Sequence, residues 1–147
     1  MKRILVATDG SEGADQAVDF AIDLCEEMAS ALDVIAVRPH LRPGKGGPIV
    51  PVTEIEEQHG AEHIAQRACE RAAKKGVSAT PHHAFGDAAD DIDALGRELG
   101  VDLIVVGSRG LGTVAGALMG SVSRAVIKRS QIPVTVVRAD AHAKVGA

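Results

Sequence analysis

The hydrophobic positions of this chain fall into short apolar runs that alternate with longer amphipathic stretches. The apolar runs are rich in Val, Ile and Leu and end near Gly, Pro or Asp, which is typical of buried strands and their exit loops. They predict five strands, at residues 4–7, 32–37, 78–85, 101–106 and 132–137. Runs with little polar alternation favour a sheet that is covered on both faces.

The stretches between the strands repeat their apolar residues at helical spacing. A first helix is predicted after Ser11, a residue type that caps helix N-termini, although Ala14 stands where the reciprocal acid of a capping box would be. Its inner stripe is expected to consist of Ala14, Ala17, Val18, Ala21, Ile22, Cys25, Met28 and Ala29.

Three further helices are predicted. The second covers residues 53–75, with Gly76 in the usual stop position, and the third runs from a cap at Asp87 to a stop at Gly100. The fourth covers residues 121–129. The inner faces of the second and third helices are expected to offer Ile55, Ala61, Ile64, Ala65, Ala68 and Ala72, and Ile92, Leu95 and Leu99.

Strands and helices alternate along the chain, and right-handed crossovers turn such an alternation into a parallel sheet with helices on both faces. The predicted fold class is therefore single-domain α/β, an open five-stranded parallel sheet of the Rossmann-like kind. Ligands of such sheets bind beyond the carboxyl ends of the strands, where the winding reverses. The loops expected to matter are residues 8–11 and those that follow Val37 and Val106.

Residues 38–51 contain four prolines and three glycines, which neither a helix nor a central strand tolerates. The segment is predicted to be a long loop. It is either a lid over a site or slack between elements, and the sequence leaves both interpretations open.

Composition narrows the possible functions. The chain has 147 residues, of which 46% are hydrophobic and 24% charged, as expected of one globular domain. Only 1% are aromatic and the formal net charge is −4, which disfavours a nucleic-acid interface built on base stacking in a positive groove. No apolar run approaches the roughly 20 residues of a membrane helix. Cys25 and Cys69 are not spaced as metal ligands or as a redox pair, and they suit buried apolar positions. Together with the short apolar runs, these cysteines lead us to expect a cytoplasmic protein without membrane contact.

The segment after the fourth strand is spaced for phosphate binding. Its glycines, Gly107, Gly110 and Gly120, are separated by two and nine residues, and a serine follows the last of them. Glycines let a backbone approach a ligand closely, and N–H groups at a helix N-terminus attract anions. The N–H groups expected to be free are those of Gly120, Ser121 and Val122, and the hydroxyl donors are those of Ser121 and Ser123.

The glycine segment has three other interpretations: a plain connector, a dinucleotide-binding fingerprint and a Walker A loop. The spacing also fits a connector whose glycines serve only turns and the helix start. A dinucleotide-binding fingerprint is a weak match, because these glycines follow the fourth strand rather than the first. A Walker A loop is excluded, since the sequence lacks the required Gly-Lys-Ser/Thr.

Over residues 2–138 the chain resembles the nucleotide-binding members of the universal stress protein family. The likeness rests on the opening ILVATDGS, the stretch from Ile92 to Gly110, the spacing of Gly107, Gly110, Gly120 and Ser121, and the closing IPVTVV. It implies one domain at residues 1–138 with a tail at 139–147, similar to the adenine-nucleotide α-hydrolases. It also implies binding of ATP, or of AMP or cyclic AMP, and a homodimer paired through the last strand, from Ile132 to Val137.

Carried over residue by residue, the resemblance implies that the adenosine lies against Ala7, Thr8, Asp9 and Val37. The backbone of Val37 would meet the adenine edge, and Asp9 would lie near the ribose or a metal ion. Ala7 stands where relatives often have proline, and Ala36 where they often have histidine. The residues that would hold the phosphates are Gly107, Gly110, Gly120, Ser121 and Val122.

Two charged positions and one histidine pair have alternative interpretations. Asp9 could ligate Mg²⁺ between phosphates or cap the turn into the first helix, and Arg109 could clamp a phosphate or lie in solvent. His59 and His63 match an inverted zinc-protease pattern. Gly60 weakens the helix between them and no third ligand can be assigned, so a zinc site is not expected.

Two functions follow from these residues. The first is a dimeric stress sensor that takes up ATP, with Mg²⁺ as a candidate companion, and presents a nucleotide-dependent surface to partners. The second is a slow ATPase, or an autokinase that phosphorylates Ser121 or Ser123. Hydrolysis needs a positioned base and a charge clamp, and the sequence offers only Asp9 and Arg109, so no catalytic residue is assigned and binding is favoured.

Overall fold

The structure is a computed structural model that describes residues 1–37, 54–84, 86–108 and 120–138, with only the backbone for residues 54–59. Several sequence predictions lie outside the described residues. They are the loop at 38–51, the side chains of Ile55 and His59, Phe85, Arg109, Gly110 and the tail at 139–147.

Five strands and four helices alternate along the described residues. The strands are β1 (Arg3–Thr8), β2 (Ala31–Ala36), β3 (Ala79–His83), β4 (Leu103–Gly107) and β5 (Val134–Val137). The helices are α1 (Glu12–Met28), α2 (Glu54–Lys74), α3 (Ala88–Leu99) and α4 (Ser121–Arg129). Every predicted element is confirmed, with ends displaced by at most about two residues, as is usual for sequence-based bounds. None of these helices is both long and apolar enough to cross a membrane.

The strands form one parallel sheet in the order β3-β2-β1-β4-β5. β1 lies at its centre, with Val6 beside Val34 of β2 on one side and beside Val105 of β4 on the other. The chain winds from β1 to β3 in one direction and from β4 to β5 in the other. The predicted five-stranded parallel sheet is therefore confirmed, with β5 at an edge.

One face of the sheet is covered by α1 and α2. Successive side chains of a strand point to opposite faces, and on this face Ile4 and Val6 of β1 contribute to the core. Their partners include Ala17 and Ala21 of α1 and Ala65 of α2, all of them at most 1% exposed. Alanines at these positions allow the helices to lie close to the sheet, and the partly buried ring of Phe20 packs against this core.

The opposite face is covered by α3 and α4. Leu5 of β1 and Ile104 of β4 are fully buried there together with Ile92 of α3 and Val126 of α4. The two faces thus carry separate cores, and the loops at the carboxyl ends of the strands cross between them.

The predicted inner stripe of α1 is correct as far as Cys25 and wrong at its end. Met28 is 43% exposed, and Ala29 lies beyond the helix with a left-handed φ of +53°. The N–H groups of Ala29 and Ser30 both donate to the Cys25 carbonyl, which ends the helix and turns these side chains outward. Ala29 has left the helix, so the helical stripe no longer applies to it, whereas Met28 is the last helical residue and is exposed at the end of α1.

The predicted helix caps are confirmed. Ser11 Oγ accepts a hydrogen bond from the Ala14 N–H at 3.3 Å, and Asp87 caps α3 in the same way. Gly100 follows α3 with a φ of +65°, a conformation that glycine adopts without strain. These local signals fix where the loops of the sheet begin.

Candidate functional site

The carboxyl ends of β1 and β4 meet where the winding of the sheet reverses. The two strands are neighbours, and Val6 of β1 pairs with Val105 of β4. Thr8 and Gly107, the last residues of the two strands, each lie two residues further on, so the strands end side by side. From there the chain continues into α1 on one face and towards α4 on the other. Open α/β sheets bind their ligands at such a reversal.

The loop after β1 is a tight turn held by its own side chains. The Thr8 hydroxyl accepts a hydrogen bond from the Gly10 N–H at 3.1 Å, and Asp9 Oδ1 accepts one from the Ser11 N–H at 2.9 Å. Gly10 has a φ of +81°, and a β-carbon there would lie 3.1 Å from Cγ1 of Ile64 in α2. Both the backbone and the packing therefore favour glycine at this position.

Asp9 thus has the turn-capping role that the sequence left open. Its carboxylate is half-buried and has more acceptor positions than one turn uses. A contact with a ribose or a metal ion is compatible with this role and stays a prediction. Within the described residues, no three His, Cys, Asp or Glu side chains are grouped to hold a metal ion, and His63 is exposed.

The residues predicted to line adenosine reach the same edge of the sheet. Ala7 and Val37 are each 6% exposed and belong to the core beneath α3 and α4. The Val37 N–H donates to the Thr8 carbonyl at 2.8 Å, which places the end of β2 directly beside the end of β1. The structure therefore brings Val37 beside Ala7 and Thr8, although it is far from them in sequence.

The two ends of the glycine segment are joined by the backbone of Ser108. Its N–H donates to the Val137 carbonyl at 2.8 Å, and its carbonyl accepts from the Gly120 N–H at 2.6 Å. This hydrogen bond brings the start of α4 to the end of β4, beside β1. It also corrects one prediction, because the Gly120 N–H expected to be free already has an acceptor.

Gly120 is the N-cap of α4 and has φ −75° and ψ 165°. Any L-residue adopts these angles, so the backbone conformation does not require glycine here. The Gly120 carbonyl accepts from the Arg124 N–H at 3.1 Å and from the Ser123 hydroxyl at 2.9 Å. Ser123 is buried and its one hydroxyl proton is used within the helix, whereas Ser121 is exposed and Val122 half-buried.

The first turn of α4 differs electrostatically from those of α1 and α3. Glu12 and Asp15 stand in the first turn of α1, and Asp90 and Asp91 in that of α3, whereas the first turn of α4 holds no acidic residue. The first N–H groups of a helix have no acceptor within the helix, and the helix dipole makes that end positive. The N–H groups of this turn are thus suited to an anion.

Sequence reasoning missed a polar cluster in the sheet. Asp33, in the middle of β2, is 1% exposed. Arg3 of β1 donates from Nε to Asp33 Oδ2 at 2.6 Å and from Nη2 to Oδ1 at 3.2 Å, and Nε2 of His82 of β3 lies 2.8 Å from Oδ1. The signal was an acid inside an apolar run, which needs a partner when buried. Its partners could be named only after β1 and β3 were known to flank β2.

Titration of this cluster follows from its contacts. Burial alone would raise the pKa of Asp33, but the hydrogen bonds and charges of Arg3 and His82 outweigh it and lower that pKa below its ordinary value. Burial, aided by the nearby Asp33 carboxylate, raises the pKa of the Cys25 thiol to about 11 and also raises that of Cys69. Cys25 is buried as expected and Cys69 is half-buried, and neither thiol is activated.

The sequence matches the model of the universal stress protein family over residues 1–138. Among individual proteins, it is 37% identical over 145 residues to universal stress protein YxiE of Bacillus subtilis, covering 92% of this chain and 98% of the relative.

Solved structures share the fold. A universal stress protein crystallised in complex with cAMP superposes with a TM-score of 0.71 at 28% identity, covering 93% of this chain and 96% of that one. The structure of the hypothetical protein MJ0577 superposes with a TM-score of 0.76 at 27% identity, covering 94% and 96% of the two chains.

Proposed function

The chain belongs to the universal stress protein family, and we propose that it binds an adenine nucleotide, ATP being the expected form, in the crevice beyond β1 and β4. The observation that carries this proposal is the hydrogen bond between Ser108 and Gly120. This bond holds the N-terminus of α4, whose first turn contains no acidic residue, at the point where the winding of the sheet reverses. A phosphate chain bound by the N–H groups of Ser121 and Val122 would lie beside the turn at Thr8 and Asp9.

The adenosine half of the proposed site is formed by the ends of β1 and β2. Since the Val37 N–H is bonded to Thr8, the backbone group of Val37 assigned to the adenine edge is its carbonyl, an acceptor that suits an exocyclic amino donor. Asp9 is assigned to the ribose or to Mg²⁺. A carboxylate at this place fits that ion, which prefers a few carboxylate and phosphate oxygens to a cage of protein ligands. Arg109 and Gly110 are proposed as further phosphate contacts.

The ligand class is tested by mass spectrometry of the nucleotide released when the purified protein is denatured. Calorimetric titration of nucleotide-free protein with ATP, AMP and cyclic AMP, with and without Mg²⁺, then ranks them. We expect ATP to bind most tightly and GTP to bind weakly. Tighter binding of AMP or cyclic AMP would remove the ATP assignment but keep the adenine site. If no adenine nucleotide is released and none binds at millimolar concentration, the proposal is wrong.

We also propose that two copies pair through β5. The carbonyls of Pro133 and Val137 point towards β4, so the N–H groups of Val134 and Val136 point outward from the sheet edge. At the opposite edge Pro81 occupies the outward position of β3 and removes its donor. The β5 edge is therefore better suited to strand pairing than the β3 edge, and we propose that nucleotide binding at the neighbouring end of β4 alters that surface.

The pairing is tested by the mass of the protein in solution at micromolar concentration. Val136→Pro removes an outward donor and is expected to give monomers, whereas the control Val136→Thr keeps the donor and is expected to stay dimeric. A monomeric wild-type protein would contradict the pairing without affecting the nucleotide proposal.

Turnover is the alternative use of this site, as a slow ATPase or an autokinase. Ser123 is a poor candidate for phosphorylation, because its side chain is buried and donates to the Gly120 carbonyl. We therefore propose binding rather than catalysis. Phosphate release well above background that is lost in Asp9→Asn would reverse this order.

A further inference from the structure

A groove lies between β3 and α3, on the sheet face that carries α3 and α4. Its volume is about 430 Å³, within the range of small-ligand sites. The buried side chain of Ile35 in β2 contributes to its lining. None of its lining residues belongs to the proposed nucleotide site, so the groove is a separate feature of the surface.

The helical wall of the groove is a single stripe of α3. Asp91, Ala94, Leu95 and Glu98 follow the spacing i, i+3, i+4, i+7, which places them on one helix face. The two carboxylates stand two turns apart, about 10.5 Å along the axis at 1.5 Å per residue. Ala94 is exposed and Leu95 half-buried between them, so the stripe is apolar in the middle and acidic at both ends.

The opposite wall is the edge strand β3, through Pro81, His82 and His83. Pro81 prevents a partner from adding as a further strand at this position. His82 is bonded to the buried Asp33, which holds that side chain in place. A partner must therefore contact side chains rather than pair with the backbone of β3.

The charge of the groove favours a cationic partner. Among the described residues its lining holds the carboxylates of Asp91 and Glu98 and no lysine or arginine, and the two histidines add positive charge when they are protonated. Asp91 Oδ2 also accepts a hydrogen bond from the Gly86 N–H at 2.9 Å, which holds this carboxylate in place. Apolar grooves of this kind commonly receive an amphipathic helix, whose anchors repeat at the same spacing. Opposite charges at the rim then select the partner and its register.

We propose that this groove docks an amphipathic helix of a partner protein that carries two basic residues two turns apart, with two apolar residues between them. The apolar pair would pack against Ala94, Leu95 and Ile35, and the basic residues would pair with Asp91 and Glu98. The inference goes beyond nucleotide binding and does not depend on it.

The test uses a fluorescent helical peptide of about 15 residues, a length at which isolated helices become stable. Its centre reads Lys-Ala-Ala-Leu-Leu-Ala-Ala-Lys, and the control peptide has Glu at both Lys positions. We expect the Lys peptide to bind at least roughly tenfold more tightly, because exposed ion pairs contribute about two- to fivefold each and like charges repel. Backbone NMR shifts should concentrate at Ala94, Leu95 and His82. Equal affinity of the two peptides, or shifts elsewhere, would overturn the proposal.

Two protein variants locate the binding. Asp91→Asn with Glu98→Gln is expected to weaken the Lys peptide roughly tenfold, while the same charge change on α1, Glu26→Gln with Glu27→Gln, leaves its affinity unchanged. Ala94→Arg, at an exposed helical position that tolerates substitution, should abolish binding. Unchanged affinity in Ala94→Arg overturns the proposal. If that variant instead breaks up a dimer of the wild-type protein, a second copy occupies the groove and the partner assignment is equally wrong.

Discussion

Replacing Gly120 by valine is the sharpest test of the phosphate site. The residue has φ −75° and ψ 165°, which valine adopts without strain, so the fold should persist. Valine is a poorer N-cap than glycine, and we expect a loss of about 0.5–1 kcal/mol in the free energy of unfolding. For a chain of this size that corresponds to a fall of roughly 2–4 °C in melting temperature.

The expected effect on nucleotide binding is much larger. A β-branched side chain at Gly120 would stand in front of the N–H groups of Ser121 and Val122, which are assigned to the phosphates. Hydrogen bonds to a charged group contribute about 1.5–3 kcal/mol each. Losing two of them therefore weakens ATP binding by at least roughly a hundredfold, since 1.4 kcal/mol is a factor of ten.

Calorimetry measures the ATP affinity, and thermal unfolding by circular dichroism measures the stability. Ala73→Val is the matched control, because it adds the same side chain at an exposed position of α2. We expect that control to bind ATP like the wild type. A folded Gly120→Val protein with an ATP affinity within twofold of the wild type would show that the phosphates do not lie at the start of α4.

Three further predictions concern the framework of the site. Gly10→Ala should lower the free energy of unfolding, measured in urea, by about 2 kcal/mol, because the residue has a left-handed φ of +81° and the added β-carbon would lie 3.1 Å from Ile64. An unchanged free energy of unfolding would contradict this packing. Asp33→Asn should lower the free energy of unfolding by roughly 2–3 kcal/mol at pH 7. This loss is smaller than the loss expected on breaking a fully buried ion pair, because the Arg3 side chain is 38% exposed. The lowered pKa of Asp33 means that its contribution is present above pH about 4 and is lost as the pH falls through the lowered value, so unfolding curves of variant and wild type should converge in acid. The Cys25 thiol is buried and its pKa is raised to about 11, so we expect iodoacetamide not to alkylate it in the native protein at pH 8 and to alkylate it fully after denaturation. Alkylation of Cys25 in the native protein would contradict its burial.

The order and type of the elements could be predicted from the chain because their signals are local. The bounds of α4, from Ser121 to Arg129, agree with the prediction, as do the caps at Ser11 and Asp87. A cap or an apolar period depends on residues within one or two turns, which the sequence contains in full. Ala29 shows the limit of this rule, because its predicted burial depended on where the helix ended.

The candidate site was predictable as a place but not as a set of bonds. The glycine spacing pointed to the end of β4, yet the Gly120 N–H, expected to be free, is bonded to Ser108. Likewise the Val37 N–H is bonded to Thr8. Each bond joins backbone groups from different elements, and no local pattern encodes such a pair.

What the sequence alone determined was the alternation of strands and helices, the parallel sheet and the position, after the fourth strand, of the glycine segment that is proposed to bind phosphates. Strand order was decided only in the tertiary structure. It placed β2 between β1 and β3, and so surrounded the buried Asp33 with Arg3 and His82. The bond between Ser108 and Gly120 likewise depends on where the start of α4 lies relative to the end of β4. The physical reason is the range of the forces involved. Periodicity and capping act over a few residues, whereas partners for a buried charge or a backbone donor come from whichever strand packing brings alongside.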